Sequence, residues 1–176
     1  RISIIGMEKN VGKTTLLNKL IADIGTNKKL GLTSIGRDGE DIDVVTNTDK
    51  PRIYVRRGSI IATGRNCLAK CDITKEILYV TDFTTPMGSI VIVRALSDGY
   101  VDIAGPSYNK QVKIVVELME KFGSEISIVD GALGRKSTAI SDVSEATILS
   151  TGAALSLDML KVVEETKKTV YFLKLD

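Results

Sequence analysis

Glycine, lysine and threonine lie near the start of the chain at a spacing that suits phosphate binding. They belong to the stretch GMEKNVGKTT, residues 6–15. Glycine lets the backbone approach an anion closely, lysine supplies a mobile ammonium, and a threonine hydroxyl can bind Mg²⁺. We therefore predict that Gly12, Lys13 and Thr14 bind phosphate, that the Thr14 hydroxyl also binds a metal ion, and that Lys13 is also catalytic.

The first glycine departs from the usual spacing of a phosphate-binding loop. The standard pattern GxxxxGK[ST] has four residues between its glycines, whereas five residues, Met7 to Val11, separate Gly6 from Gly12. The work of the first glycine is to begin the loop, so one more residue widens its entry and leaves NVGKTT undisturbed. The predicted phosphate site comprises Gly6, Asn10, Val11, Gly12, Lys13, Thr14 and Thr15.

A phosphate-binding loop needs a strand before it and a helix after it. RISII, residues 1–5, is a β-branched run typical of a buried parallel strand. TTLLNKLIADIG, residues 14–25, has apolar residues at helical spacing and ends in a glycine, which favours a helix. The order strand, loop and helix is therefore as required.

The rest of the chain alternates between strand and helix patterns. KKLGLTSIG predicts a second strand, YVDIAGPS, NKQVKIVVELMEKFG and EISIVDGALG predict strand, helix and strand, and the last thirty residues from ATILS to YFLKL predict the same order again. We predict one α/β domain over residues 1–176, with a mostly parallel sheet flanked by helices.

A β-rich insert is predicted between about residues 50 and 98. PRIYVRRGSIIATG indicates a hairpin that turns at Arg57 and Gly58, CDITKEIL indicates a short helix, and LYVTDFTTPMGSIVIVRAL indicates two further strands. Because no long helix separates these strands, the segment differs from both of its flanks.

Composition narrows the possible partners. The chain has 176 residues, of which 43% are hydrophobic and 26% charged, as in globular domains. A net charge of +2 does not favour nucleic acid or an anionic membrane as the main partner. No apolar run approaches the roughly 20 residues that span a bilayer, so we expect a cytoplasmic protein.

The loop GMEKNVGKT resembles GTDTxVGKT of dethiobiotin synthetase, which also has five residues between its glycines. That family belongs, with MinD-like proteins, to the SIMIBI class of P-loop NTPases. Two departures stand out: Glu8 occupies the place of the second lysine of MinD-type loops, and GLTSIG lacks the second-strand lysine of the synthetase. The resemblance implies the P-loop NTPase fold and a nucleotide site, without the biotin chemistry.

The resemblance also implies acidic site residues. EISIVDGALGR is similar to the EGAGG strand end of these proteins, where a carboxylate holds Mg²⁺ or its water, so Asp130 is expected to be catalytic and to bind metal; a capping role is the alternative. In this class the loop after the second strand, here RDGEDID, faces the phosphate loop. Asp38 is therefore expected to bind the metal and to be catalytic, with Glu40 as the second metal ligand, and a solvated acidic loop is the alternative.

The segment [NT]KxD that selects guanine in GTPases is absent from the sequence, because NTDK at residues 47–50 has the letters in another order. ATP with Mg²⁺ is therefore favoured, and GTP is the alternative nucleotide.

Four stretches resemble the small P-loop subunit of the factor that reactivates lysine 5,6-aminomutase: IIGMEKNVGKTTLLN, TSIGRDGED, DKPRIYVRRGSIIAT and VDGALGRKS. That family implies a nucleotide-driven switch that acts on a protein partner, either the aminomutase or a second reactivase subunit. A homodimer is left open. The alternatives are an ATP-dependent ligase or kinase of the dethiobiotin synthetase type, which acts on a small molecule, and a plain α/β binding module.

Overall fold

The computed structural model describes residues 1–36, 52–131 and 143–174. Its strands are β1 (Ile2–Gly6), β2 (Leu30–Ser34), β3 (Ile53–Val55), β4 (Ile60–Gly64), β5 (Lys75–Thr85), β6 (Gly88–Ala95), β7 (Gly99–Val101), β8 (Ile126–Asp130) and β9 (Ala146–Ser150). Its helices are α1 (Lys13–Ile24), α2 (Asn109–Lys121) and α3 (Met159–Leu173), and a short 3-10 helix spans Arg65–Lys70.

Seven of the strands form a central sheet in the order β5-β6-β4-β2-β8-β1-β9. The neighbours from β4 to β9 are parallel, whereas β6 runs antiparallel to both β4 and β5. The prediction of an α/β fold with a mostly parallel sheet is confirmed. Because five strands are parallel, their carboxyl ends meet at one edge, which is where ligands bind in sheets of this kind.

Helices cover both faces of this sheet. On one face, Leu17 and Ile21 of α1 pack in a buried cluster that includes Ile128 of β8. On the other face, α2 packs against Val129, the next residue of β8. Successive side chains of a strand point to opposite faces, so a central strand such as β8 is buried on both sides. This explains why Ile128 and Val129, which face opposite sides of the sheet, are both apolar.

The predicted hairpin over residues 51–64 is wrong. A turn is present, with Gly58 at φ 91°, but the two strands that it joins do not pair with each other. β3 pairs with β7 in a separate two-stranded sheet, and β4 lies between β2 and β6 in the central sheet. Three strands of the segment predicted as an insert, β4 to β6, thus belong to the central sheet.

Two other local predictions are also wrong. Residues 75–78, expected in a short helix, begin β5, because they pair with β6; the helical turn comes earlier, at Arg65–Lys70. YFLKL, expected as a strand, continues α3 as far as Leu173. In the first case, pairing with β6 overrides the local helical pattern.

Within the described residues, none of the helices is long and apolar enough to cross a membrane.

Candidate functional site

The loop between β1 and α1, residues 7–12, leaves the sheet at its carboxyl edge. β1 lies between β8 and β9, and Met7 N–H donates a hydrogen bond to the Ser150 carbonyl at the end of β9, at 2.9 Å. Asn10 and Gly12 have φ of 59° and 87°, in the left-handed region that favours glycine. These two residues turn the chain sharply into α1.

The first turn of α1 presents backbone donors at this edge. Gly12 occupies the N-cap position, where no side chain caps the helix, and no acidic residue lies in the first turn. The N–H groups at the start of a helix have no acceptor within the helix and lie at the positive end of its dipole. The backbone of Lys13, Thr14 and Thr15 is therefore suited to binding an anion.

The side chain of Lys13 folds back over the loop. Its Nζ donates to the Glu8 carbonyl at 3.2 Å. A Cβ at residue 6 would lie 2.7 Å from that Nζ and 2.8 Å from Val11 Cγ2. The ammonium can occupy this position because residue 6 is glycine, which gives the first glycine of the motif a role that its spacing alone did not reveal.

Asp130 is the last residue of β8, one strand away from the loop. It lies in register with Ile4 of β1 and with Ser34 of β2. Its Oδ1 is buried and has no hydrogen-bond partner among the residues that the structure describes. Burial raises the pKa of this carboxyl group from 3.8 to about 6, and the positive charge of Lys13 opposes the rise. A buried carboxylate oxygen therefore stands unsatisfied close to the ammonium.

The residues of this site fit a magnesium ion. Buried polar atoms normally have partners, and a cation or its bound water would satisfy Oδ1 and favour the ionised carboxylate. Mg²⁺ is typically held by one or two carboxylates together with phosphate and water oxygens. The described part of the chain has no cluster of three or more histidine, cysteine or acidic residues that could hold a metal ion.

A buried segment, Ile103 to Pro106, supports the edge of the sheet beside Asp130. Gly105 N–H donates to Ser34 Oγ at 2.9 Å, and Gly36 N–H donates to the Pro106 carbonyl at 3.0 Å. A Cβ on Gly105 would lie 1.8 Å from the Ser34 carbonyl oxygen. The sequence analysis did not identify Ser34 and Gly105 as positioning residues. The turn-forming stretch IAGPS, between a predicted strand and a predicted helix, is the sequence feature that could have pointed to Gly105.

The structure brings most of the predicted site together. One end of β1, the loop and the first turn of α1 contain Gly6, Asn10, Val11, Gly12, Lys13, Thr14 and Thr15, and the end of β8 adds Asp130. Asp38 and Glu40 lie outside the described residues. Comparisons with protein-family models, curated proteins and solved structures found no match to this chain. Function is therefore inferred from the residues and geometry of the site.

Proposed function

We propose that the chain is a P-loop NTPase that binds ATP with Mg²⁺ at the β1–α1 loop and hydrolyses it slowly. The observation that carries this proposal is the buried Oδ1 of Asp130, which has no hydrogen-bond partner within the described part of the chain. The charge of Lys13 acts on this carboxyl group, and the first turn of α1 is uncapped. Uncapped N–H groups and an ammonium suit phosphate oxygens, and a carboxylate suits the metal that accompanies them.

Each residue has a distinct proposed role. The N–H groups of Lys13, Thr14 and Thr15 bind phosphate oxygens, and the Lys13 ammonium exchanges its contact with the Glu8 carbonyl for one with a phosphate. The Thr14 hydroxyl and Asp130 hold Mg²⁺, directly or through water. When bound, Mg²⁺ neutralises charge that develops on the transferred phosphoryl group. Asp38, with Glu40 as the second candidate, is proposed to orient the metal or the attacking water.

The proposed biological role is a nucleotide-driven switch that acts on a protein partner, as the resemblance to the aminomutase reactivase subunit implies. A link between α1 and an exposed surface supports this role. Asn18 Nδ2 donates to the Arg52 carbonyl at 3.3 Å, and Tyr54 N–H donates to Asn18 Oδ1 at 3.2 Å. The side chain of Asn18 thus joins the helix that begins at the phosphate site to β3. A movement of α1 on nucleotide binding would reach the outside of the molecule by this route.

The test is nucleotide binding and hydrolysis by the Lys13→Ala variant. Calorimetric titration with MgATP and MgGTP gives affinity, and phosphate release gives turnover. Loss of a charge-assisted contact worth about 1.5–3 kcal/mol should weaken binding roughly ten- to hundredfold. Lys19→Ala is the matched control, because Lys19 lies on the same helix, is 70% exposed and pairs with Asp23.

Unchanged affinity in Lys13→Ala, with a circular dichroism spectrum like that of the wild type, would show that the nucleotide does not bind at this loop. A loss in Lys19→Ala as large as that in Lys13→Ala would give the same conclusion, because Lys19 does not belong to the proposed site.

A further inference from the structure

A segment without regular secondary structure, residues 102–106, lies against the carboxyl ends of β4 and β2. Its attachment to β4 uses the hydroxyl group of Thr63, which accepts a hydrogen bond from Ala104 N–H at 2.9 Å and donates one to the Asp102 carbonyl at 3.0 Å. Both bonds are close to ordinary length. Segment 102–106 is therefore well fastened to β4.

The attachment of segment 102–106 to β2 has the same pattern one residue later, but one of its bonds is long. Ser34 Oγ accepts a hydrogen bond from Gly105 N–H at 2.9 Å, whereas its own hydroxyl donates to the Ile103 carbonyl at 3.4 Å. Bonds between a hydroxyl and an oxygen are usually about 2.7–2.8 Å long, so the bond to Ile103 is weak. The Ser34 hydroxyl is therefore available to a better acceptor.

Asp130 offers such an acceptor on the neighbouring strand. Ser34 and Asp130 are partners in the parallel register of β2 and β8, and two residues earlier Leu32 and Ile128 are partners that lie in one buried cluster. Because side chains two residues apart on a strand share a face, Ser34 and Asp130 lie side by side on the face that α1 covers. Neighbouring strands are about 4.8 Å apart, so a rotation about χ1 of Ser34 brings its hydroxyl to the carboxylate.

The two acceptors compete, because a serine hydroxyl has a single hydrogen to donate. Within the described residues, Asp130 Oδ1 is buried and without a hydrogen-bond partner. A hydrogen bond to a carboxylate is roughly twice as strong as one to a neutral carbonyl. When the Ser34 side chain turns toward Asp130, it releases both the Ile103 carbonyl and Gly105 N–H, and segment 102–106 is then held at β4 alone.

We propose that Ser34 couples the metal site to segment 102–106. This inference rests on the proposed function, because metal binding at Asp130 decides between the two arrangements. When Oδ1 is taken up by Mg²⁺, directly or through water, the Ser34 hydroxyl is left to Ile103 and the segment is fastened. Without a cation, Oδ1 competes for the hydroxyl and the segment loosens. Segment 102–106 follows β7 directly, so the change reaches the exposed surface that contains Tyr100.

Hydrogen exchange of the Gly105 amide, followed by NMR on the intact chain, tests the coupling. Adding Mg²⁺ with a non-hydrolysable ATP analogue should slow this exchange by about fivefold relative to the Val93 amide, the effect expected for one hydrogen bond. Val93 is buried in β6 and reports the general stabilisation by a bound ligand. Asp130→Ala should slow the exchange at Gly105 to the same extent without nucleotide, because it removes the competing acceptor.

Ser34→Ala and Thr63→Ala are a matched pair, because each removes one hydroxyl group that fastens the segment. The slowing at Gly105 on addition of the analogue should disappear in Ser34→Ala. It should persist in Thr63→Ala, because β4 lies one strand further from Asp130 than β2 does. If the two hydroxyl groups had only a structural role, both variants would respond to the analogue in the same way.

Titration calorimetry on the same samples distinguishes failure of the coupling from failure of the proposed function. A bound analogue without slowing at Gly105 overturns the coupling alone, as does slowing that persists in Ser34→Ala. Exchange at Gly105 as fast in Asp130→Ala as in the wild type also overturns it, and this result needs no nucleotide. If the analogue does not bind to the wild type, the proposed function is overturned and the coupling with it.

Discussion

The side chain of Lys13 lies directly over the α-carbon of Gly6. A methyl group on residue 6 would come 2.7 Å from Lys13 Nζ and 2.8 Å from its Cδ, both shorter than van der Waals contact allows. Because residue 6 has no side chain, the Lys13 ammonium can occupy this position. The close approach of Lys13 to Gly6 depends on how the loop closes and not on the number of residues in the loop. It is therefore compatible with the five residues that separate the two glycines.

Gly6→Ala should weaken MgATP binding by roughly tenfold and should also lower the stability of the protein. The added methyl group displaces the Lys13 side chain, which moves the ammonium away from the phosphate, and it meets Val11 Cγ2 at 2.8 Å. Titration calorimetry and thermal unfolding measure the two effects. Gly152→Ala is the control, because a Cβ there meets nothing within 4 Å. Full affinity in Gly6→Ala would mean that the resting position of the ammonium does not matter for binding.

Asp130→Asn should impair Mg²⁺-dependent turnover far more than metal-free nucleotide binding. The substitution keeps the shape of the side chain and removes the charge that we propose holds the metal. Phosphate release at increasing Mg²⁺ concentration, together with nucleotide titration in EDTA, separates the two effects. Asp82→Asn, at an exposed position of β5, controls for a general loss of charge. Equal turnover in wild type and Asp130→Asn would show that Asp130 has a structural role and does not hold the metal.

The stability of the metal-free protein should fall as the pH rises from about 4 to about 6. Burial raises the pKa of Asp130 from 3.8 to about 6, so the native state binds more protons than the unfolded state within this window. The free energy of unfolding then decreases with rising pH, by about 2 kcal/mol between pH 4 and pH 6. Urea denaturation at several pH values measures this change.

Asp130→Asn is the control for this pH dependence, because it cannot titrate. The difference in unfolding free energy between wild type and variant should change across the window from pH 4 to 6. A difference that stays constant with pH would show that Asp130 Oδ1 is solvated or paired in solution, contrary to its burial in the structure.

The elements beside the site could be predicted because their signals are local. The strand β1 and the helix α1 flank a motif whose residues are close in sequence, and β8 reads as a short apolar run that ends in Asp130. Their side-chain patterns are set by burial on one or both sides, which the sequence records directly. The candidate phosphate site is therefore visible in the sequence.

The remaining features depend on distant partners. The turn at Gly58 suggests a hairpin, but β3 pairs with β7 and β4 pairs with β2 and β6, and no local pattern states this. Likewise, the hydrogen bond from Gly105 N–H to Ser34 Oγ joins residues that are 71 positions apart. Val170 and its aromatic neighbours favour a strand locally, yet they continue α3, and nothing in the structure explains this difference.

The sheet of β3 and β7 has an exposed surface, and a substitution on this surface can distinguish the switch function from the ligase function. Tyr54 and Tyr100 pack edge to face with ring centroids 5.3 Å apart, and the Arg52 guanidinium lies 5.3 Å from the centre of the Tyr100 ring. Tyrosine and arginine are enriched in protein interfaces. Arg57 is exposed at the turn after β3, and its N–H donates to Asp98 at 2.7 Å. Arg56 is less suitable for substitution, because its Nε is buried and has no hydrogen-bond partner in the described ranges of the chain.

Charge reversal at Arg57 should leave intrinsic ATP hydrolysis unchanged while it weakens partner binding or partner-stimulated hydrolysis. The reason is that Arg57 lies outside the proposed phosphate site but belongs to the surface that Asn18 connects to α1. Hydrolysis by wild type and Arg57→Glu, with and without the aminomutase that the resemblance implies, measures this effect; Lys113→Glu, exposed on α2, is the control. If Arg57→Glu instead raises the KM for a small metabolite that stimulates hydrolysis, the surface lines a substrate site. The ligase or kinase function would then replace the switch.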